Sequence, residues 1–262
     1  MNIVTAKKSL GQNFLHDKNI IEKIVTCNPI TEKDLIIEIG PGMGALTKEL
    51  KRYNSQIICY EIDERMRPIL SELEDEKLQV IYGDFLKRDI IHDLKSKNYT
   101  NLYVIGNLPY YITTPIIEKV IDSGIDLTAM TIMVQKEVAD RFVALPKSKQ
   151  YNSLTIYLNY YFDIEKVCFV KNTCFNPIPK VDSAVVRFVK KANKYDVKNE
   201  EHFFKLVNNS FRFKRKTLKN NLNSYNWAII KEILLANNYS ENVRAEEIDI
   251  ETFIKISNNL CK

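Results

Sequence analysis

The sequence lacks a long apolar run, although 45% of its 262 residues are hydrophobic. No stretch approaches the ~18 consecutive apolar residues that a membrane-spanning helix needs. The N-terminal residues also lack the apolar centre of a secretory signal peptide. The hydrophobic content is ample for a folded core, which argues against disorder. These features predict a globular, cytoplasmic protein without a membrane partner.

Cysteine and histidine are too few and too scattered to predict a metal site. The five cysteines are irregularly spaced without a C-x-x-C pair, and the three histidines lie far apart in the sequence. This distribution argues against a disulfide framework and against a zinc site. We therefore expect no bound metal, and we further expect a monomer.

Most of the chain has no excess of charge of either sign. Residues 1–189 hold 24 basic and 24 acidic side chains, whereas residues 190–262 hold 14 basic and 9 acidic ones. The whole net charge of +5 therefore lies in the C-terminal part. Such a distribution is typical of a surface that binds a polyanion, but a solvated helical surface would give the same count. Charge alone leaves both interpretations open.

Short apolar runs alternate with segments of helical period through much of the chain. Alternating strands and helices indicate an α/β fold, with a parallel sheet covered by helices on both faces. The predicted buried strands are 35–39, 56–60, 79–82, 102–105 and 130–134, and the predicted helices are 45–53, 64–73, 115–123 and 137–145. Two further predicted strands, 153–161 and 183–189, follow one another without a helix between them. Part of the sheet edge is therefore predicted to be antiparallel.

The composition changes near residue 190, where a polar and charged stretch (190–201) is predicted to be a linker. Beyond it, Phe203, Val207 and Phe211 recur every four positions, which is typical of a helix with one apolar face. We therefore predict two domains, an α/β domain at 1–190 and a small helical domain at 191–262.

Glycine is scarce, with only seven residues, so a cluster of three is informative. Gly40, Gly42 and Gly44 directly follow the predicted strand 35–39. Glycine lets the backbone turn tightly and approach a ligand, and a helix that starts after such a loop offers free N–H groups. Glu61 ends the next strand about 20 residues later, where an acid accepts hydrogen bonds from ribose hydroxyls. This spacing is typical of a nucleoside or dinucleotide site.

The glycine loop and Glu61 suit NAD as well as S-adenosylmethionine (SAM), and the loop alone could be an ordinary tight turn. Asp84 follows the third strand, where its carboxylate could accept a hydrogen bond from an adenine amine. SAM has no pyrophosphate and does not need a helix N-terminus as an anion site. Glu38, just before the loop, would repel a pyrophosphate but tolerate a cationic sulfonium. The residues favour SAM without excluding NAD.

The run Asn107-Leu108-Pro109-Tyr110 follows the predicted strand 102–105 and should lie at the same edge of the sheet. An adenine amine is a poor nucleophile because its lone pair is delocalised, and the Asn107 side-chain oxygen and the Leu108 carbonyl could accept hydrogen bonds from its two N–H groups. Pro109 stiffens the turn, and Tyr110 can stack on an extruded base. The run predicts methyl transfer to adenine, which needs alignment more than a strong base. The alternative is a turn beside a core tyrosine.

These motifs resemble, in order, those of the KsgA-type rRNA adenine dimethyltransferases over most of residues 6–190. The matching runs are 8–15 (KSLGQNFL), 38–44 (EIGPGMG), 60–63 (YEID), 83–85 (GDF), 107–115 (NLPYYITTP), 134–139 (VQKEVA) and 175–185 (FNPIPKVDSAV). The resemblance implies a Rossmann-like SAM-dependent methyltransferase domain with a small C-terminal all-helical domain. It also implies dimethylation of the N6 amines of two adjacent adenines in the 3′-terminal hairpin of 16S rRNA, in small ribosomal subunit biogenesis. One departure is Tyr111, where many relatives carry asparagine.

The resemblance also implies roles for individual residues. The expected SAM contacts are Asn13, Leu15, Gly40, Gly42, Glu61, Asp84 and Asn107. The expected catalytic turn and target-adenine contacts are Asn107, Leu108, Pro109, Tyr110 and Phe175. Phe175 could equally be a core aromatic beside a proline-rich turn, so its stacking role rests on the resemblance alone.

A basic segment in the C-terminal part predicts an RNA partner. Residues 205–219 contain no acid, and the aromatics Phe211 and Phe213 are interleaved with the basic side chains. The basic residues are Lys205, Arg212, Lys214, Arg215, Lys216 and Lys219. Phosphate contacts from such a segment give affinity for RNA with little recognition of its base sequence. Specificity would then come from the shape of the RNA and its unstacked loop.

Three other functions remain open on the sequence. A 23S rRNA adenine methyltransferase of the macrolide-resistance type has the same chemistry, although Leu108 and Pro115 resemble the small-subunit enzymes. A non-catalytic RNA-binding assembly or transcription factor on the same fold would not need Glu61 or Asn107. An NAD oxidoreductase would leave the 107–110 run without a role.

Overall fold

The computed structural model describes residues 5–192 and 195–261, and Asn193 and Lys194 of the predicted linker lie outside this description. The strands are β1 Phe14–Leu15, β2 Leu35–Ile39, β3 Gln56–Glu61, β4 Leu78–Tyr82, β5 Leu102–Asn107, β6 Ala129–Gln135, β7 Phe162–Val170, β8 Phe175–Asn176 and β9 Ser183–Lys190. The helices are α1 Lys18–Thr26, α2 Ala45–Leu50, α3 Arg67–Leu70, α4 Ile90–Leu94, α5 Thr113–Asp122, α6 Lys136–Phe142, α7 Ser153–Tyr161, α8 Glu200–Ser210, α9 Leu218–Asn221, α10 Trp227–Ala236 and α11 Ile250–Leu260.

A seven-stranded sheet in the order β4-β3-β2-β5-β6-β9-β7 organises the fold. Strands β4, β3, β2, β5 and β6 run parallel, whereas β9 pairs antiparallel with β6. The predicted α/β class and the predicted antiparallel edge are confirmed. All five residues of β2 are buried, because the central strand of a parallel sheet is covered on both faces. The carboxyl ends of β2, β3, β4 and β5 therefore meet at one edge of the sheet.

The predicted strand 153–161 is wrong, because this segment is the helix α7. Asn152 caps the helix by accepting hydrogen bonds from the backbone N–H groups of Leu154 and Thr155, and the Thr155 side chain accepts from the Asn152 backbone in return. Such a reciprocal capping box favours helix nucleation. Apolar and aromatic residues lie on all sides of this helix, so its sequence shows no clear helical period. For this reason the segment was predicted to be a strand.

Contacts within the chain divide it into two compact units. The first extends to Ala139 and includes Ile164–Lys190, and the second comprises Asp140–Asp163 and the chain from Lys191 onward. The predicted domains placed 140–163 in the first domain, whereas this segment packs in the core of the second unit. Tyr160 of α7 explains the difference, since its ring lies 5.5 Å from that of Phe203 in a shared hydrophobic cluster.

The second unit is helical, as predicted. Its α8 buries Phe203 and Val207 on one face. The side chain of Asn226 caps α10 by accepting a hydrogen bond from the Ala228 backbone N–H. Within the described ranges, no helix combines the length and the apolar character that crossing a membrane requires.

Candidate active site

The glycine loop follows β2 at the edge of the sheet where the parallel strands end. Gly40, Gly42 and Gly44 have φ angles of +71°, +55° and +75°, which L side chains rarely adopt. A Cβ at Gly42 would also lie 3.1 Å from the ring of Phe14. The loop therefore needs glycine both for its backbone conformation and for the close approach of the N-terminal segment.

Glu61, the last residue of β3, is only 3% exposed and binds the glycine loop. Its Oε2 accepts a hydrogen bond from the Gly42 backbone N–H at 2.9 Å, and its Oε1 accepts one from the Asp63 N–H at 2.8 Å. Burial raises the pKa of Glu61, and these two backbone donors oppose that shift. Each carboxylate oxygen retains capacity for a further donor, as a ribose hydroxyl would require.

Asp84 stands after β4 and begins a short 3₁₀ turn. Its Oδ1 accepts a hydrogen bond from the Leu86 backbone N–H at 3.0 Å, and its Oδ2 lies 4.0 Å from Lys87 Nζ. The side chain is one-third exposed. Among the described residues, Oδ2 is held only by this long, solvent-exposed ion pair, so it can accept a hydrogen bond from a ligand.

Asn107 is the last residue of β5, and its amide orientation is fixed by the N-terminal segment. Asn107 Nδ2 donates to the Asn13 backbone carbonyl at 3.0 Å. Because a carbonyl can only accept, the amide nitrogen must face Asn13. Neither the Asn107 Oδ1 nor the Leu108 carbonyl accepts a hydrogen bond from any described residue. Two adjacent acceptors thus remain available to a ligand that carries two N–H donors.

The Asn107–Tyr110 turn is held on both sides. Gly106 precedes it, and a Cβ there would lie 2.9 Å from the Ile39 carbonyl oxygen of the neighbouring strand. After the turn, the Tyr110 hydroxyl hydrogen-bonds the buried Ser183 hydroxyl of β9 at 2.9 Å. Burial raises the pKa of Tyr110. Its phenol therefore stays neutral, and the ring is anchored at its far end.

Phe175 lies in the two-stranded ribbon of β1 and β8, where it is the partner of Leu15. Its side chain is only 2% exposed and belongs to the hydrophobic core of the first unit. The ring contributes to the wall of the site. A stacking role on the target base stays a prediction, because so little of the ring is accessible.

One cleft in the first unit is lined by every residue predicted to contact SAM or the target adenine. It encloses about 1100 Å³ of empty space, including solvent at its mouth. The predicted residues in its wall are Asn13, Leu15, Gly40, Gly42, Glu61, Asp84, Asn107, Leu108, Pro109, Tyr110 and Phe175. The described residues contain no group of three or more His, Cys, Asp or Glu side chains that could hold a metal ion.

The predicted RNA-binding residues are all exposed in the second unit. Asn221 holds their loop in shape, because its side chain accepts from the Phe213 backbone N–H and donates to the Ser210 carbonyl. Phe213 is 54% exposed. The central carbon (Cζ) of the Arg212 guanidinium lies over its ring, 5.3 Å from the centroid of the Phe213 ring. The basic residues in question are Lys205, Arg212, Lys214, Arg215, Lys216 and Lys219.

Sequence reasoning missed three residues that shape the cleft. Gln12 and Asp63 are joined by a hydrogen bond across 51 positions, and Ser183 anchors Tyr110 across 73. All three lie inside the motif runs quoted above, which was the available signal. No periodicity or spacing could have paired them, since the contacts depend on the tertiary fold.

Comparison with known proteins identifies relatives of this chain. Residues 3–262 match the family model described as "Ribosomal RNA adenine dimethylase". Proteins named "Ribosomal RNA small subunit methyltransferase A" are 42% identical in Bacillus pumilus (98% of this chain, 91% of the relative) and 45% identical in Clostridioides difficile (96% and 89%). The relative from Aster yellows witches'-broom phytoplasma is 44% identical (97% and 95%).

Two solved structures share the fold. A dimethyladenosine transferase from Plasmodium falciparum superimposes with a TM-score of 0.76 at 27% identity, covering 92% of this chain and 95% of that one. The 23S rRNA methyltransferase ErmE gives the same TM-score at 24% identity, covering 95% and 100%, and supports the fold alone. The family match spans nearly the whole chain, and the chain belongs to the ribosomal RNA adenine dimethylase family.

Proposed function

We propose that this protein transfers methyl groups from SAM to the N6 amines of two adjacent adenines in the 3′-terminal hairpin of 16S rRNA, during small-subunit biogenesis. The observation that carries the proposal is the pair of free acceptors, Asn107 Oδ1 and the Leu108 carbonyl, in the cleft. The relatives' name supports the small subunit as the substrate. A cytoplasmic location and a monomeric state stay predictions.

The residues around the cleft fit SAM as the methyl donor. Glu61 and Asp84 supply acceptors at the ends of β3 and β4, where ribose hydroxyls and an adenine amine need them. Gly40 leaves open space, because a Cβ there would meet nothing within 4 Å. Glu38, which the sequence suggested would disfavour a pyrophosphate, is 1% exposed and is not among the residues that line the cleft, so it does not discriminate between SAM and NAD. When bound, SAM supplies an electrophilic methyl group on a sulfonium.

The chain's own contribution is to orient the target amine. Two acceptors fix both N–H bonds of an adenine amine, so the nitrogen lone pair is directed out of the plane that the acceptors define. The proline at 109 holds the turn at φ −58° and ψ 134°. The Tyr110 ring, anchored through Ser183, offers a face for the extruded base. Alignment of this kind supplies a large part of the rate enhancement in a transfer that needs no strong base.

RNA binding is assigned to the exposed basic residues of the second unit. Each lysine or arginine that contacts a phosphate releases condensed counterions, so the affinity should depend steeply on salt. The exposed Phe213 beside Arg212 adds a surface on which an unpaired base can stack. These contacts give affinity, and the amine-binding turn selects adenine.

The direct test is to incubate the protein with labelled SAM and with ribosomal subunits that lack dimethyladenosine. Label is expected at two adjacent adenines in the 3′-terminal hairpin of the small-subunit RNA. Label in large-subunit RNA alone would instead support the 23S-type activity. Tight RNA binding without any transfer would support a non-catalytic assembly factor.

A further inference from the structure

One wall of the cleft is built differently from the others. Residues 10–15 line it, whereas the remaining wall consists mainly of strand ends and the turns that follow them. We call residues 5–13 the N-terminal strap. Apart from Lys8, whose side chain is not described, every strap residue is exposed or half-buried. The strap therefore depends on particular hydrogen bonds, since no buried apolar side chain holds it.

Gln12 provides the link between the strap and the sheet edge. Its Nε2 donates to Asp63 Oδ2 at 2.8 Å, and its Oε1 accepts from the Lys7 backbone N–H at 2.8 Å. One side chain thus closes the strap on itself and attaches it just beyond β3. The attachment lies two residues from Glu61, beside the ribose end of the proposed cofactor site.

Asp63 is held in place to receive this bond. It is 5% exposed, and the Arg65 guanidinium donates to its Oδ1 through Nε at 2.9 Å. The hydrogen bonds from Arg65 and Gln12 lower the pKa of Asp63 to about 2. Arg65 also donates to the Thr5 carbonyl at 3.3 Å, at the beginning of the strap. A charged acceptor strengthens such hydrogen bonds.

A second attachment lies across the cleft. The Asn13 carbonyl accepts from Asn107 at the end of β5, and Gly11, with φ +61°, passes close to Tyr111. A Cβ at Gly11 would lie 3.2 Å from the Tyr111 ring. The strap is therefore fixed at the ends of β3 and β5, and it passes the glycine loop that follows β2 between them.

We propose that Asp63 is a positioning residue which, through Gln12, holds the N-terminal strap across the cleft and so limits the rate at which SAM leaves. The inference rests on the proposed function for its ligand. This wall can open without breaking the sheet, because its attachment near β3 consists of side-chain hydrogen bonds. Loss of a hydrogen bond to a charged acceptor corresponds to roughly a tenfold or larger change in an equilibrium constant.

The test compares Gln12→Ala with the native chain. Labelled SAM is bound, an excess of unlabelled SAM is added, and the rate of loss of label is measured by filter binding. Gln12→Ala is expected to release SAM at least about tenfold faster and to raise KM for SAM in proportion. The kcat at saturating SAM should stay within about twofold, since Gln12 does not orient the target amine.

Three further variants separate positioning from a general structural effect. Arg67→Ala is the matched control, because Arg67 pairs with Glu64, lies over the Tyr82 ring, and forms no hydrogen bond or ion pair with the strap residues that the structure describes. It should release SAM at the native rate. Gln12→Glu removes the donor to Asp63 and should behave like Gln12→Ala. Combining it with Asp63→Asn restores a donor–acceptor pair in the opposite direction and should slow the release again.

The outcomes are distinct for the two proposals. If the native chain retains no labelled SAM, the proposed cofactor is wrong, and the role of the strap falls with it before any variant is made. If the native chain binds SAM but Gln12→Ala releases it at the native rate, only the role of the strap is overturned. A fall in kcat without a change in release rate or KM would overturn it equally.

Discussion

The side-chain amide of Asn107 donates to the backbone carbonyl of Asn13, 94 positions earlier in the chain, at 3.0 Å. One hydrogen bond therefore serves two purposes. It attaches the N-terminal strap to the end of β5, and it fixes the side-chain amide so that the Asn107 oxygen is free to accept from the target amine that we propose. The strap and the Asn107–Tyr110 turn are thus held by the same contact.

Replacing Asn107 separates these two purposes. Asn107→Ala should reduce methyl transfer at least about 100-fold, because the amine loses an aligned acceptor. The SAM dissociation constant should rise only a few-fold, because the lost bond joins the neutral Asn13 carbonyl, whereas the stronger bond from Gln12 to the charged Asp63 is kept. Calorimetry and single-turnover transfer measure the two effects. The exposed Asn98 offers a matched control, Asn98→Ala. Transfer near the native rate in Asn107→Ala would refute the role of this acceptor.

Tyr110 and Ser183 should act as a pair. Tyr110→Ala removes the ring, and base stacking on an aromatic side chain contributes about 1–3 kcal/mol. Tyr110→Phe keeps the ring and loses only the hydrogen bond to Ser183, so a few-fold loss of kcat is expected. Ser183→Ala should cause the same loss, and the double variant should be no worse than either single one. Additive losses in steady-state assays would show that the hydroxyl contact does not position the ring.

Much of the fold could be predicted from the sequence, because buried parallel strands are continuous apolar runs bounded by turn residues. The residues of the cleft were grouped correctly for a related reason, since carboxyl ends of neighbouring parallel strands meet at one edge. The helix α7 was not predicted, because its aromatic residues obscure the helical period. The β1–β8 ribbon has two residues per strand and leaves no periodic signal. The bond between Gln12 and Asp63 depends on the folded path of the strap.

Gly106 should be intolerant of a methyl group. A Cβ there would lie 2.9 Å from both the Ile39 carbonyl oxygen and Leu108 Cδ2, so the neighbouring strand or the turn that begins at Asn107 must shift. Gly106→Ala is expected to lower the free energy of unfolding by about 1–3 kcal/mol and to reduce transfer. Gly124→Ala provides the comparison, because Gly124 has φ +70° but no neighbour within 4 Å of the added Cβ. It should cost about 1–2 kcal/mol of stability and leave transfer intact. Equal transfer in both variants would contradict this account.

Glu38 should make the stability of the protein depend on pH. It is 1% exposed, and burial raises its pKa from 4.5 to about 7. A raised pKa means that the native state binds the proton more tightly than the unfolded chain does. The stability that this proton gives the native state is fully present below about pH 4.5 and is lost as the pH rises through about 7. In Glu38→Gln, the free energy of unfolding should therefore decrease less than in the native chain as the pH rises, by up to ~3 kcal/mol. Denaturant titrations across this pH range measure the free energy of unfolding. Glu49→Gln is the control, because Glu49 is half-exposed. Parallel pH profiles for native and Glu38→Gln would refute the assignment.

The basic loop of the second unit should control the salt dependence of RNA binding. Lys214 and Arg215 are exposed, and no acid lies between positions 205 and 219 to neutralise them. If each contacts one phosphate, the double variant Lys214→Ala with Arg215→Ala should reduce the slope of log K against log salt by roughly 1.4–1.8. Lys231→Ala with Lys255→Ala is the matched control, since these lysines lie in the same unit and bind Glu241 and Asn237. Fluorescence anisotropy with the 3′-terminal hairpin, measured over a series of salt concentrations, gives the slopes. An unchanged slope in the first variant, or an equal decrease in the control, would place the RNA elsewhere on the protein.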